Sequence, residues 1–539
     1  MHRTISRRAL PVLVVLASLA GGYALRHTLA RKALLAVAAQ AGGERYAVAL
    51  GTVDLDPFRG RIRIADLRIA PRAAAHADGS PTLTVQARTI ELSKVDLFAL
   101  LWDKHLMVGH MHIDAPEVTH VYETRAGDRT AQARDADTLQ LPMGVEFLHV
   151  DTLRIDHARG STHDRSGVNP HASVADLDIL LTGLLMVQRA GDRPWVRLVS
   201  GDLSLRGADA RVDPFYTAHI DSLHVRVPEN TARVLGFRFT PDVGPDHYRS
   251  AKEAPMELYT VHADSILMDR FDLTARLESG ALLAEVFTIA GLQVDIHRDK
   301  SVPYTDERPR APLPAERVRR WRVPVALEQV HIRHGRITYH ERLARGEPFG
   351  SVTLTQVDAA MSGLTNMRPD SSTELHLTGH LRLWDKAPAH VDIHQSHSRR
   401  GARIEGRVHL KNLQARELNH ITDELVRIRA TEGSIHSVDL HMQGDDRSAQ
   451  GTVHMHYEGL KLKVEPARPH AGLLSLLANA VIHSSNVPGD RRYRVGRSFV
   501  DRKQETSVFN YLWLSLREGM LDVLLPDPVL ERLHTHQAR

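Results

Sequence analysis

The sequence predicts a mainly β protein. Its core is a long, curled antiparallel sheet forming an open groove or an elongated sandwich, with an N-terminal transmembrane helix and a few C-terminal helices. Three observations predict it. One strand-like apolar pattern recurs along the chain, a 17-residue uncharged run opens it, and clear helical periodicity returns only after residue 415.

The pattern is apolar-x-apolar-x-x-apolar-x-apolar, and it occurs twice between Ile90 and Tyr122: Ile90, Leu92, Val95, Leu97, then Leu106, Val108, Met111, Ile113. Period two marks a strand, and a step of three would turn its second half onto the opposite face. A β-bulge or tight corner at Ser93-Lys94 and at Gly109-His110 keeps all four side chains together. On a helical wheel the same positions scatter. Further copies are Ile62, Ile64, Leu67, Ile69; Leu148, Val150, Leu153, Ile155; and Phe287, Ile289, Leu292, Val294. Val330, Ile332 and Ile337 carry it with Gly335 in the third slot, and Met455, Tyr457, Leu460, Leu462 repeat it with Val453 on the same face. The steps Ala65-Asp66, Ala290-Gly291 and Glu458-Gly459 use small or turn-forming residues, suited to a corner. These residues are the candidate groove lining.

Taken in order, residues 1–8 carry Arg3, Arg7 and Arg8 and form a cytoplasmic n-region. Residues 9–25 form the span, and Arg26, Arg31 and Lys32 follow it, so charge orients it weakly. An uncleaved anchor, a signal cleaved near Gly22 and a buried core helix are the three readings, the anchor foremost. Residues 26–45 read as a helical stalk. Residues 46–465 read as the β region, about 20 to 25 strands, including alternating runs at Trp195–Leu205, Thr373–Leu383 and Ala402–Leu410. Breaks near Arg125–Asp137, Arg159–Pro170, Pro241–Pro255 and Asp299–Glu316 read as surface loops. A surface helix is expected at Ala415–Ala430, with Leu418, Ile421, Leu425 and Ile428 on one face. In the cap, residues 466–539, helices are expected at Ala471–His483 and after Ser507, which suits an N-cap. The last helix spreads Phe509, Leu512, Trp513, Leu516, Met520 and Val523 over a broad apolar surface.

An apolar sheet face must be hidden in a sandwich, a barrel or a covered trough. The other face, with Arg61, Arg63, Arg68, Glu91, Asp114, Arg154 and Asp156, reads as solvated. The residues leave a self-filled core and an acyl-filled trough both open.

Composition excludes several functions. Net charge is +4 from 69 basic and 65 acidic residues, alternating along strands instead of forming runs, so nucleic acid is not an expected partner. Arginine outnumbers lysine 59 to 10, as codon bias in a GC-rich bacterial genome would give. With no cysteine there is no disulfide, thiolate metal site or Cys nucleophile. No P-loop, GxSxG, HExxH or dinucleotide fingerprint occurs, so no enzyme activity, catalytic residue or cofactor is expected. The 34 histidines include the pairs His110/His112 and His454/His456. Met111 and Met455 hold the apolar slots between them, which puts these histidines on the solvated face; no metal site is assigned. Asp445-Asp446 reads as a hairpin turn with solvated carboxylates, and Asp264, Asp269 and Asp272 as outward-facing.

The stretch VDLDPFRGRIRIADLRIAP, followed by LFALLWDKHLMVGHMHIDAPEV, resembles the opening of the AsmA-like proteins of the bacterial envelope. Gly433 to Leu462 is similar to that family's C-terminal strand pairs. LLANAVIHSSNVPG through VFNYLWLSLREGM resembles its members catalogued as a domain of unknown function. The resemblance implies a groove-shaped β protein, single-pass in the bacterial inner membrane with its bulk in the periplasm. It would shield or transport phospholipid acyl chains and support outer-membrane maintenance, with envelope proteins as further partners. The rival expectation is a scaffold for envelope biogenesis with a dry β core.

Overall fold

Period-two alternation governs most of the residues described by the computed structural model, which are 45–56, 59–72, 81–96, 99, 105–122, 147–164, 171–187, 195–244, 257–301, 310–343, 347–367, 373–396, 403–426, 428–464 and 483–526. The protein is mainly β, with a large mixed sheet. Contacts divide the chain into unit 1, residues 1–211, 219–232 and 273–280, and unit 2, residues 212–218, 233–272 and 281–539. The anchor, most of the stalk, Leu97 and the Ala471–His483 helix up to residue 482 lie outside the described residues. Among the described residues no helix is long and apolar enough to cross a membrane.

In unit 1, β3 (Arg61–Pro71) pairs antiparallel with β1 (Tyr46–Ala49), β2 (Val53–Asp56) and β4 (Thr82–Val95). β4 pairs along its length with β5 (His105–Asp114) and β6 (Glu117–Tyr122), which act as one strand interrupted at Ala115-Pro116. Both run parallel to β7 (Phe147–Asp164). β8 (Ala172–Val187) continues antiparallel to β9 (Trp195–Arg197) and β10 (Ser200–Asp213). β11 (Tyr216–Val227) and β12 (Thr231–Pro241) follow in sequence, each divided between the two units.

Unit 2 repeats the motif. β13 (Glu257–Asp269) pairs antiparallel with β14 (Leu282–Ala290) and β15 (Gln293–Asp299), a strand interrupted at Gly291-Leu292. Both run parallel to β16 (Val325–Arg342). An antiparallel series then runs through β17 (Gly350–Thr365), β18 (Glu374–Leu383), β19 (Ala387–Ser396), β20 (Ile404–Gln414), β21 (Ile428–Gly444), β22 (Ser448–Val464) and β23 (Gly496–Asp501).

The expectation of a wholly antiparallel sheet is therefore corrected by four parallel pairings. Connections of residues 123–146 and 300–324 precede β7 and β16; a hairpin can only reverse the chain, whereas connections this long can return it to the starting end.

The three-residue steps are corners. Asp66, Lys94, Gly291, His334 and Gly459 all have positive φ, between 53° and 64°. In unit 1 they kink neighbouring strands together: Ile64 pairs with Ile90 and Leu67 with Ala87, so register is unchanged across Asp66. The line through Lys94 continues between Val108 and His110, and between Val150 and Thr152. It reaches Gly183 (φ 59°) on β8, where an added Cβ would lie 2.5 Å from Val199 Cγ2. That corner splits the strand expected at Trp195–Leu205 into β9 and β10.

Two loop and helix expectations also change. β7 runs on to Asp164 through part of the expected Arg159–Pro170 loop, paired with β6 and β8. The helix expected at 415–430 is a 3-10 turn, Ala415–Leu418, then α3 (Asn419–Val426), and Ile428 already pairs with Val464. The Asn419 side chain holds both the N–H and the carbonyl of Ala430, at 2.8 and 3.0 Å, and fixes the start of β21. The remaining helices are α1 (Leu273–Ser279), α2 (Pro314–Arg319) and α4 (Val508–Leu524). Ser507 caps α4 by accepting from Asn510 N. This helix buries Val508, Tyr511, Leu512, Leu514 and Val523 and turns Phe509 and Trp513 outward, so its apolar surface is narrower than expected.

Candidate functional site

Pairing assembles the apolar residues into rows across the strands. In unit 1 one row runs Ile64, Ile90, Ile113, Ile155, Ile179 and Leu203 on β3, β4, β5, β7, β8 and β10. Beside it lies Ile62, Leu92, Met111, Leu153 and Leu181. Every residue of both rows is partly exposed, as are Leu67 and Ile69. Across the Lys94 corner line the same face closes: Val95, Val108, Val150, Leu184, Met186 and Val196 form a buried cluster, with Leu106, Leu148 and the whole Ile62–Leu92–Met111–Leu153–Leu181 row packed against it. Val150 is 0% exposed. Val95, Val108 and Val150 are therefore packed core here and do not line an open surface.

Unit 2 builds longer rows. One contains Met268, Phe287, Val330, Met361, Leu377 and Ile393 on β13, β14, β16, β17, β18 and β19. Another contains Ile266, Ile289, Ile332, Ala359, Gly379, Val391, Val408, Leu440 and Val453. Val294 pairs with Ile337, and these two, Leu292, Phe287, Ile289, Val330 and Ile332 are partly exposed. Toward β22 the face is sealed. Val453, Met455, Tyr457 and Leu460 are buried in one cluster with Tyr511, Leu512 and Leu514 of α4, and Leu462 packs at its border. Those four cannot line an open groove, because the chain's own residues bury them. Gln395 sits buried on this face, and its Oε1 receives the Ala315 N–H at 3.0 Å, so it positions α2.

Sequence reasoning missed β8. Ile179, Leu181, Leu184 and Met186 carry the same 0, 2, 5, 7 spacing, run along the chain beside Leu177, and the signal was there to be read. β17 to β20 alternate plainly, and only pairing shows that they extend the rows.

The opposite face is charged and paired. Arg63 lies 3.2 Å from Glu91, Arg88 3.1 Å from Asp114, and Arg154 2.7 Å from Asp156. Burial alone would raise the Asp156 pKa, but bonds from Arg154 and His112 outweigh it and hold the carboxyl below its ordinary range. A cleft of about 570 Å³ opens along the Asp66 line, edged by Arg68, Arg88, Glu117 and Asp176, too polar for an acyl chain.

The expected histidine pairs are not brought together with a third ligand. His112 Nε2 meets Asp156 at 2.9 Å, while His454 and His456 both reach the Tyr493 hydroxyl, at 3.4 and 3.1 Å. Asp445 accepts from the Arg447 and Ser448 amides at 2.7 and 3.1 Å, as a hairpin turn requires. Asp446 is not simply solvated: it pairs with Arg310 at 2.6 Å and with Arg502 at 2.8 Å, whose side chain is fully buried.

Compared with protein-family models and with curated proteins, the chain gives no match.

Proposed function

We propose that the chain is an AsmA-like protein of the bacterial envelope, anchored in the inner membrane by residues 9–25 with its bulk in the periplasm. Its apolar sheet face shields or carries phospholipid acyl chains and so supports outer-membrane maintenance. The reading assigns it no reaction and no cofactor. One observation carries it: the Ile64–Ile90–Ile113–Ile155–Ile179 row is continuous across five strands, yet each member stays partly exposed. A dry sandwich would bury such a row. Each methylene removed from water contributes about 0.8 kcal/mol, so an acyl chain is retained by area alone, without a specific contact.

The rival, a packed scaffold with protein partners, draws support from a different place. Around β20 to β22 and α4 the face is filled by the chain itself.

Mass spectrometry of lipids co-purifying with the full chain in mild detergent separates the two. Phospholipid above a detergent-only control is expected; lipid-free, folded protein would overturn the carrier reading.

A further inference from the structure

We propose that His376, Asp392 and His394, on the charged face of β18 and β19, bind a divalent transition-metal ion such as Zn2+. His376 pairs directly with His394 in the ladder, and Thr378 with Asp392. The two imidazoles stack with centroids 3.9 Å apart and planes 15° from parallel. Both present Nε2 to one carboxylate, each to a different oxygen: His376 at 3.1 Å from Oδ2 and His394 at 3.2 Å from Oδ1. All three donor atoms fall within 4.8 Å of one another. Metal–nitrogen and metal–oxygen bonds of about 2.0 to 2.2 Å require ligand atoms roughly this close.

One divalent ion would place its charge between the same three donor atoms. His394 Nδ1 lies 3.6 Å from Glu374, which adds a second negative charge beside the ring. Asp392, Glu374 and the neighbouring Glu405 set three carboxylates against one guanidinium, Arg407, which is itself bonded to Glu405. His441 also reaches Glu405, at 3.0 Å. The three ligand side chains are 21 to 35% exposed, leaving room for water or an exogenous ligand to complete the shell. Imidazole with carboxylate suits zinc, nickel, cobalt or copper better than calcium or magnesium.

Two other groups show what this one has. His157 also meets Asp176 and Asp178, but Arg206 already bridges both carboxylates and supplies the positive charge. His380 and His390 also lie ring to ring, with centroids 4.6 Å apart, but tilted by 40°, and His390 Nε2 meets the Thr378 hydroxyl instead of a carboxylate.

The test uses the full chain in detergent, stripped with chelator, then titrated with Zn2+ by calorimetry and with Co2+ by visible absorption. His376→Ala, His394→Ala and Asp392→Asn are expected to lose one Zn2+ equivalent, or weaken it by about tenfold or more, and to lose the cobalt bands. His380→Ala, in the tilted control pair, is expected to keep both. Unchanged binding in the three variants, or equal loss in the control, overturns the site and leaves adventitious binding to surface histidines. Should a variant fail to fold, hydrogen exchange on the unaltered protein decides: Zn2+ is expected to slow exchange at residues 374–396, and no slowing there overturns the proposal.

Discussion

Gly519 of α4 and Val453 of β22 meet where only a hydrogen fits: a Cβ on Gly519 would lie 2.3 Å from Val453 Cγ2. Alanine normally gains about 1 kcal/mol over glycine inside a helix. Here overpacking, at about 1 to 3 kcal/mol, exceeds that gain. Gly519→Ala is expected to lower stability in urea denaturation, and a stabilised variant would contradict the contact.

A charge placed on the apolar face is expected to act differently at its two extremes. Val453→Asp buries a carboxylate beneath α4 and should unfold unit 2, as near-UV circular dichroism would show. Ile155→Asp, in the partly exposed isoleucine row, should leave the protein folded while reducing co-purified phospholipid. Unfolding by both substitutions would favour a dry core throughout.

Arg502 ties three segments together, bonding Asp446 and the carbonyls of Ala311 and Thr506. Arg502→Met removes the donor to both carbonyls and leaves Asp446 with the more exposed Arg310. A loss of about 3 kcal/mol is expected, against under about 1 kcal/mol for Arg310→Ala. Parallel chemical denaturation of both variants checks the ordering.

Burial alone would raise the Asp299 pKa, but hydrogen bonds from Arg342 and Ser301 outweigh it and set the value at about 2. An unfolded aspartate titrates near 3.9, so this group's stabilisation is complete above about pH 4 and is lost as pH falls toward 2. The difference corresponds to about 2.5 kcal/mol. Melting curves across that window should show a steeper loss for the unaltered protein than for Asp299→Asn, which starts lower but lacks this titration.

The face assignment was legible because one step of three, read locally at Asp66, Lys94, Gly291, His334 and Gly459, fixes which side chains share a side. The Ser507 cap was legible for the same local reason. Pairing partners were not. Nothing near Leu148 announces that it will lie parallel to Leu106, since the choice is made by a connection of more than twenty residues. The depth of cover was equally hidden: Val453 and Ile64 share one sequence pattern, and only α4, arriving from residue 508 onward, makes the first inaccessible. The His376–Asp392–His394 group escaped because only Asp392 and His394 share a strand, at i and i+2, and two ligands alone make no site; the hairpin brings His376 opposite His394.

The corner lines of unit 1 constrain insertions and deletions more tightly than substitutions. Between its two corner lines β4 spans Ile90 to Leu92, β5 Met111 to Ile113 and β7 Leu153 to Ile155, an equal count in each strand. Any apolar residue can stand in these panels with modest cost, yet losing or gaining a single residue in one strand would put its corner out of line with both neighbours. Length variation in relatives of this chain should therefore collect in the connections and spare the panels, whatever their residue identities become.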